Sequence, residues 1–144
     1  MNNSIKYIVL AITFCLCACE ADPDEGLPSF DNTLPLYVQL SSTSNIEADE
    51  GDDVPIRIEI PEVIYNDVNV QWEVTGDISA SGSVTITEGN LTADAMVSIP
   101  DDSQVTGGGS AVFTLTSVDN GLTLGRQNAS TSVISTNLTW VDND

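Results

Sequence analysis

Val68-Asn69-Val70-Gln71-Trp72-Glu73-Val74 decides the class of fold. Apolar side chains take every second position and polar ones fill the gaps. A β-strand sends alternate residues to opposite faces, so this stretch buries one row and wets the other. Trp72, in the middle of the buried row, is expected to plug a core rather than to offer a ligand platform.

The same period continues in both directions. Towards the N-terminus, Val54, Ile56, Ile58 and Ile60 alternate with Pro55, Arg57 and Glu59, and Leu36, Val38 and Leu40 alternate with Tyr37 and Gln39. Pro55 cannot donate to a ladder, which places it near a strand start or on an edge. Towards the C-terminus, Ser83–Thr87 turns Val84 and Ile86 inward before the turn Glu88-Gly89-Asn90. Ala93–Ile99 buries Ala95, Val97 and Ile99. Ala111–Val118 buries Phe113 and Leu115 ahead of a tight Asn120-Gly121 turn, and Val133–Val141 carries Ile134, Leu138 and Trp140 on one face. No stretch has a persuasive 3.6-residue period. The expectation is a seven-stranded antiparallel immunoglobulin-like β-sandwich over Leu34–Asp144. About 110 residues suit one domain with one core.

Strands that each span such a sandwich make successive loops alternate between its two ends. One end then collects Glu47, Asp49, Glu50, Asp52 and Asp53 from the first loop, Asp77 from the third, Asp101-Asp102 from the fifth, and Asp142-Asn143-Asp144 from the tail. The other end holds Glu62, Asp67, Glu88 and Asp119, with Arg126 to offset them. Crowded carboxylates repel one another unless water, protonation or a cation relieves them. Calcium does this well, taking oxygen ligands from flexible acidic loops. The alternative is that these acids merely keep the loops soluble.

Ahead of the strands, Lys6 and the apolar run Tyr7–Ala18 make a secretory signal, too short to cross a bilayer. Leu16-Cys17-Ala18-Cys19 resembles the lipobox of bacterial lipoproteins. That resemblance implies cleavage after Ala18, acylation of Cys19 and attachment to the cell envelope as an outer-membrane lipoprotein. An ordinary signal peptide that happens to contain cysteines is the alternative. Cys19–Thr33 follows as an acidic linker with Pro23, Gly26 and Pro28, the composition of a disordered stalk. Its Glu20, Asp22, Asp24 and Glu25 are either a surface-sorting signal or a solvated spacer. All three cysteines, Cys15, Cys17 and Cys19, lie in or at the end of the signal. The mature domain therefore keeps no thiol for a disulfide, a zinc site or a nucleophile.

The chain has 3 basic and 22 acidic residues and no histidine. Removing Lys6 with the signal leaves Arg57 and Arg126 against the same 22 acids, a formal charge of −20. Phosphate backbones are bound through Lys and Arg, which excludes nucleic acid as a partner. Anionic headgroups are repelled likewise. Without imidazole or thiolate, zinc and copper are poor fits, and the Ser/His/Asp and Cys/His constellations cannot form. Only paired carboxylates remain as catalytic chemistry, in a domain with little room for a substrate cleft. The chain is expected not to be an enzyme.

Ala48-Asp49-Glu50-Gly51-Asp52, Val97-Ser98-Ile99-Pro100-Asp101-Asp102, Ala111–Ser117 and Leu138–Asp144 resemble the Calx-β family of calcium-binding sandwiches. The resemblance covers about Leu36–Asp144. It implies calcium as cofactor, with Glu50, Asp101, Asp102, Asp142 and Asp144 as ligands. Asp77 joins them from the neighbouring loop. Two features depart from the family pattern. Gln104, Thr106 and Gly107-Gly108-Gly109 stand where further glutamates are usual, and the Gly-Thr-Ala and Asp-Tyr signature between the third and fourth strands is missing. A site with fewer ligands is a weak one, of the ~0.1–1 mM class of extracellular modules.

The function expected is a membrane-anchored, calcium-stabilised binding or adhesion module for a protein or glycan. The alternative is an accessory glycan-binding lipoprotein of a nutrient-uptake system, for which Tyr37, Tyr65 and Trp140 are the candidate stacking residues. The sequons at Asn2, Asn90, Asn128 and Asn137 are chance products of composition in a bacterial lipoprotein.

Overall fold

A computed structural model describes residues 35–101, 105, 107–127 and 133–143. The signal, Cys19 and the linker lie outside the described residues, as do Asp102 and Asp144. The strands are β1 (Tyr37–Leu40), β2 (Ile46–Asp49), β3 (Asp53–Glu59), β4 (Val68–Gly76), β5 (Ala80–Ile86), β6 (Thr92–Ser98), β7 (Gly109–Val118), β8 (Thr123–Leu124) and β9 (Ser135–Val141). They form a four-stranded sheet ordered β6-β3-β1-β8 and a five-stranded sheet ordered β2-β9-β7-β4-β5. Among the described residues there is no helix.

The period-two rows become the core. Val38, Leu40, Val54, Ile56, Ile58, Ala95 and Val97 come from one sheet. Val68, Val70, Trp72, Val74, Ile86, Phe113, Leu115, Leu138 and Trp140 come from the other, and all join one buried cluster. Fully burying a Val, Leu, Ile or Phe side chain contributes about 1.5–3 kcal/mol. A stapleless domain depends on that cluster. Trp72 is 9% exposed and stacks on Phe113 with ring centroids 5.4 Å apart, as a core plug should.

Two expectations need correction. Among the described residues nine strands form, not seven, and the sheets are mixed, not wholly antiparallel. The first strand divides. β1 pairs with β3 at Gln39↔Glu59 and Leu40↔Ile58. The polar stretch Ser41-Ser42-Thr43-Ser44-Asn45 then carries the chain across to the other sheet. There β2 continues in the same direction beside β9, which makes that pairing parallel, from Ile46↔Leu138 to Asp49↔Val141. Glu47 and Asp49 therefore sit on a strand, not in a loop. The two-residue β8 runs alongside β1, also parallel, because the turn at Asn120-Gly121 sends the chain back in the direction of β1. Asn120 (φ 56°) and Gly121 (φ 74°) are both left-handed, the geometry of a type I′ turn.

The departure of β1 explains Pro55. It pairs with Met96 of β6 on one side, while on the other side β1 has already crossed away, so its missing N–H costs little. In β7 the pairing with β4 shifts between Gln71↔Ser117 and Trp72↔Leu115. Thr116 is the extra residue of a bulge, and the alternation resets so that Val118 again packs against the core.

Candidate functional site

The end of the sandwich reached by β2, β4, β6 and β9 is built around one turn. Asp52 N donates to Asp49 O at 3.2 Å, and Gly51 has φ +82°. This is a type II turn, whose third residue needs positive φ and so favours glycine. Asp49 N donates to Asp52 Oδ2 at 3.1 Å, closing the turn from the side-chain direction. Glu50 occupies the second position and is 7% exposed. It is a rare buried carboxylate, and removing such a group from water is costly unless charge or hydrogen bonds compensate it.

Three other segments converge on this turn. Glu50 N donates to Val141 O at 3.1 Å and Gly51 N to Ile99 O at 3.2 Å. Asn143 Nδ2 donates to Glu50 O at 2.9 Å, tying down the tail. A Cβ placed on Gly51 would lie 3.5 Å from Asp101 Cβ, so Asp101 sits directly against the turn. Gly107 N donates to Asp142 Oδ2 at 3.0 Å. Ser110 N donates to Asp77 Oδ2 at 2.8 Å, and Asp77 N returns a bond to Ser110 O at 2.9 Å. A hollow of about 430 Å³ is lined by Glu50, Asp77, Gly107, Gly108 and Trp140, among others.

Four of the six candidate ligands thus share one end: Glu50 and Asp77 line the hollow, Asp101 lies against the Gly51 turn, and Asp142 is held by Gly107. The other two, Asp102 and Asp144, are outside the described residues. Among the described residues, no three His, Cys, Asp or Glu side chains stand close enough to hold a metal ion. The donor chemistry is nonetheless all oxygen, the set a hard cation takes. Two further residues belong to this end without being marked by the carboxylate pattern. Asn143 stands between two aspartates, and Trp140 lines the hollow while 8% exposed. The alternation of Leu138 with Trp140 carried the signal for the latter.

The opposite end is held by hydrogen bonds between its own loops. Asp119 accepts from Asn69 N at 2.9 Å and from Asn69 Nδ2 at 2.8 Å. These bonds, the side-chain one foremost, hold its carboxyl below the usual aspartate range. Glu88 N donates to Asp67 Oδ1 at 2.9 Å. On the face of the smaller sheet, Arg57 Nε meets Asp94 Oδ1 at 2.9 Å. The proposed sugar-stacking residues do not assemble. Trp140 is buried in one sheet, Tyr37 is half-buried on the other, and Tyr65 is 82% exposed in a loop.

An apo-form Calx CBD1 domain matches this architecture with a TM-score of 0.58 at 12% identity, over 76% of this chain and 99% of its own. The fold is Calx-β-like. A Calx CBD2 domain matches at 0.57 and 10% identity, over 75% of this chain and 87% of its own. A structure described as calcium binding domain CBD12 of CALX1.1 matches at 0.57 and 14% identity, over 76% of this chain. The chain spans less than half of the two CBD12 structures it matches, 46% and 44%. No family model matches the sequence, and no curated protein does. At these identities the likeness of the Calx-β-like domain to its neighbours concerns the fold alone.

Proposed function

We propose that this chain is a non-catalytic, cell-envelope binding module: a lipoprotein anchored through Cys19 whose Calx-β-like domain takes calcium at its acidic end. The observation that carries the calcium reading is the burial of Glu50 in the turn that Asp101, Asp142 and Asn143 surround. The calcium-binding description of a structural neighbour supports it. Glu50, Asp77, Asp101 and Asp142 would supply carboxylate oxygens, together with Asp102 and Asp144. A bound dication offsets charge that four chain segments bring together. It locks the tail and the β6–β7 connection to the turn, and so stiffens the loops a partner meets. The anchor reading rests on the lipobox-like Leu16–Cys19 and places the protein in the outer membrane, with a protein or glycan as its target.

Calorimetric titration of Leu34–Asp144 with calcium tests the metal, against sodium chloride at matched ionic strength. Saturable heat in the ~0.1–1 mM range is expected. A rise in melting temperature beyond that given by the salt control should accompany it. Both should be lost in Glu50→Gln and in Asp101→Asn/Asp102→Asn. Equal stabilisation by calcium and by matched salt would reduce the effect to screening, and the metal would be abandoned.

A further inference from the structure

We propose that β5 is the docking edge of this molecule, taking an extended segment of a partner protein, basic at its ends, as an added sixth strand of the larger sheet. The four sheet edges are unequal. β2 is four residues long and carries Glu47 and Asp49, β8 is two residues long, and β6 carries Asp94, bonded to Arg57. Short length and charge are how sheets keep foreign strands off their edges. β5 has neither device. Ala80-Ser81-Gly82-Ser83-Val84-Thr85-Ile86 runs seven residues with no charge and no proline. It pairs with β4 in unbroken register, from Val68↔Ile86 to Val74↔Ala80. Among the described residues no strand is hydrogen-bonded along its outer side, so its outward N–H and C=O groups are set to pair with a further strand.

Charge selects the occupant. The positions around this neutral edge are acidic: Glu73 stands opposite Ser81 on β4 beside the strand's start, and Glu88 follows its end. A second copy pairing antiparallel would bring Glu73 of each chain and Glu88 of the other to the same end of the pairing, and like charges across a pairing are destabilising. A foreign segment with Lys or Arg at both ends, spanning roughly 23 Å of strand, meets opposite charge there instead. This rests on the reading of the chain as a binding module but not on calcium.

The test uses Leu34–Asp144, which contains every described strand and the whole buried core, labelled with nitrogen-15. The probe is a nine-residue peptide alternating valine and threonine between terminal lysines. Amide shifts confined to β5 and its β4 neighbours are expected, with and without calcium. Binding should weaken about tenfold when the terminal lysines become glutamates. It should also weaken in Ser83→Lys, an exposed position, and vanish when alternate peptide nitrogens are methylated. Shifts on another surface, no shift at millimolar peptide, indifference to methylation, or self-association of the chain through β5 would each overturn the proposal. The calcium titration decides the acidic end separately, so the two readings fail by different measurements.

Discussion

Asp119 shows how a solvent-facing carboxylate is put to structural use. Its two oxygens take the backbone and side-chain N–H groups of Asn69, and Asn69 Oδ1 in turn accepts from Thr85 Oγ1 at 2.8 Å. The turn after β7 is thereby fastened to β4 and β5. The Asn69 bonds, the side-chain one foremost, hold the Asp119 carboxyl below the usual aspartate range, so the folded state binds the proton less readily than the unfolded chain. The contribution is therefore complete above the unfolded pKa and is lost as pH falls through the lower folded one. Asp119→Asn places an amide against the Asn69 donors. It should lower the melting temperature by a few degrees near neutrality, and the gap to wild type should close in acid as the lowered carboxyl takes up its proton. Only that difference is diagnostic, because acid also relieves the general repulsion among the carboxylates and pulls wild-type stability the other way. A gap that persists unchanged into acid would show that the Asn69 bonds are not its source.

Two strand pairs of the larger sheet are matched through glycine and tryptophan. Trp72 pairs with Gly82 of β5, and Trp140 pairs with Gly109 of β7; each indole lies over the space a side chain would fill. A Cβ on Gly82 would come within 2.6 Å of Trp72 Cζ2. Because Trp72 is stacked on Phe113, it cannot swing away without disturbing the core. Gly82→Ala should cost about 1–3 kcal/mol by overpacking, read as a lowered urea midpoint, whereas the exposed neighbour Ser81→Ala should change little. Equal effects would dissolve the pairing argument. The sequence announced Trp72 as a core residue through its alternation, yet nothing in that pattern named Gly82 as the residue making room, since the match exists only across strands. The same limit hid β2. Ile46 and Ala48 alternate with two acids for four residues only, which reads as an acidic loop until β9 is beside it. The carboxylates were visible as residues, and parity placed them at one end. The buried setting of Glu50 depends on the turn geometry of Gly51 and on contacts from β9 that no single stretch encodes.

The polarity of the strands orders the molecule as a whole. β1 runs towards the Glu50 turn, so the chain enters at the opposite end, where Leu36 O accepts from Thr123 N at 3.0 Å. One methylene contributes about 0.8 kcal/mol to membrane attachment, and a single acyl chain holds a protein only marginally. The anchor reading therefore requires more than one chain on Cys19. Cells fed radiolabelled palmitate should incorporate label into the wild-type chain and none into Cys19→Ser. The wild type should partition into detergent phase, while the variant, left without a lipid, should appear in the aqueous phase. Label retained in Cys19→Ser would remove the anchor, while leaving the calcium reading of the Glu50 turn to be judged by its own titration.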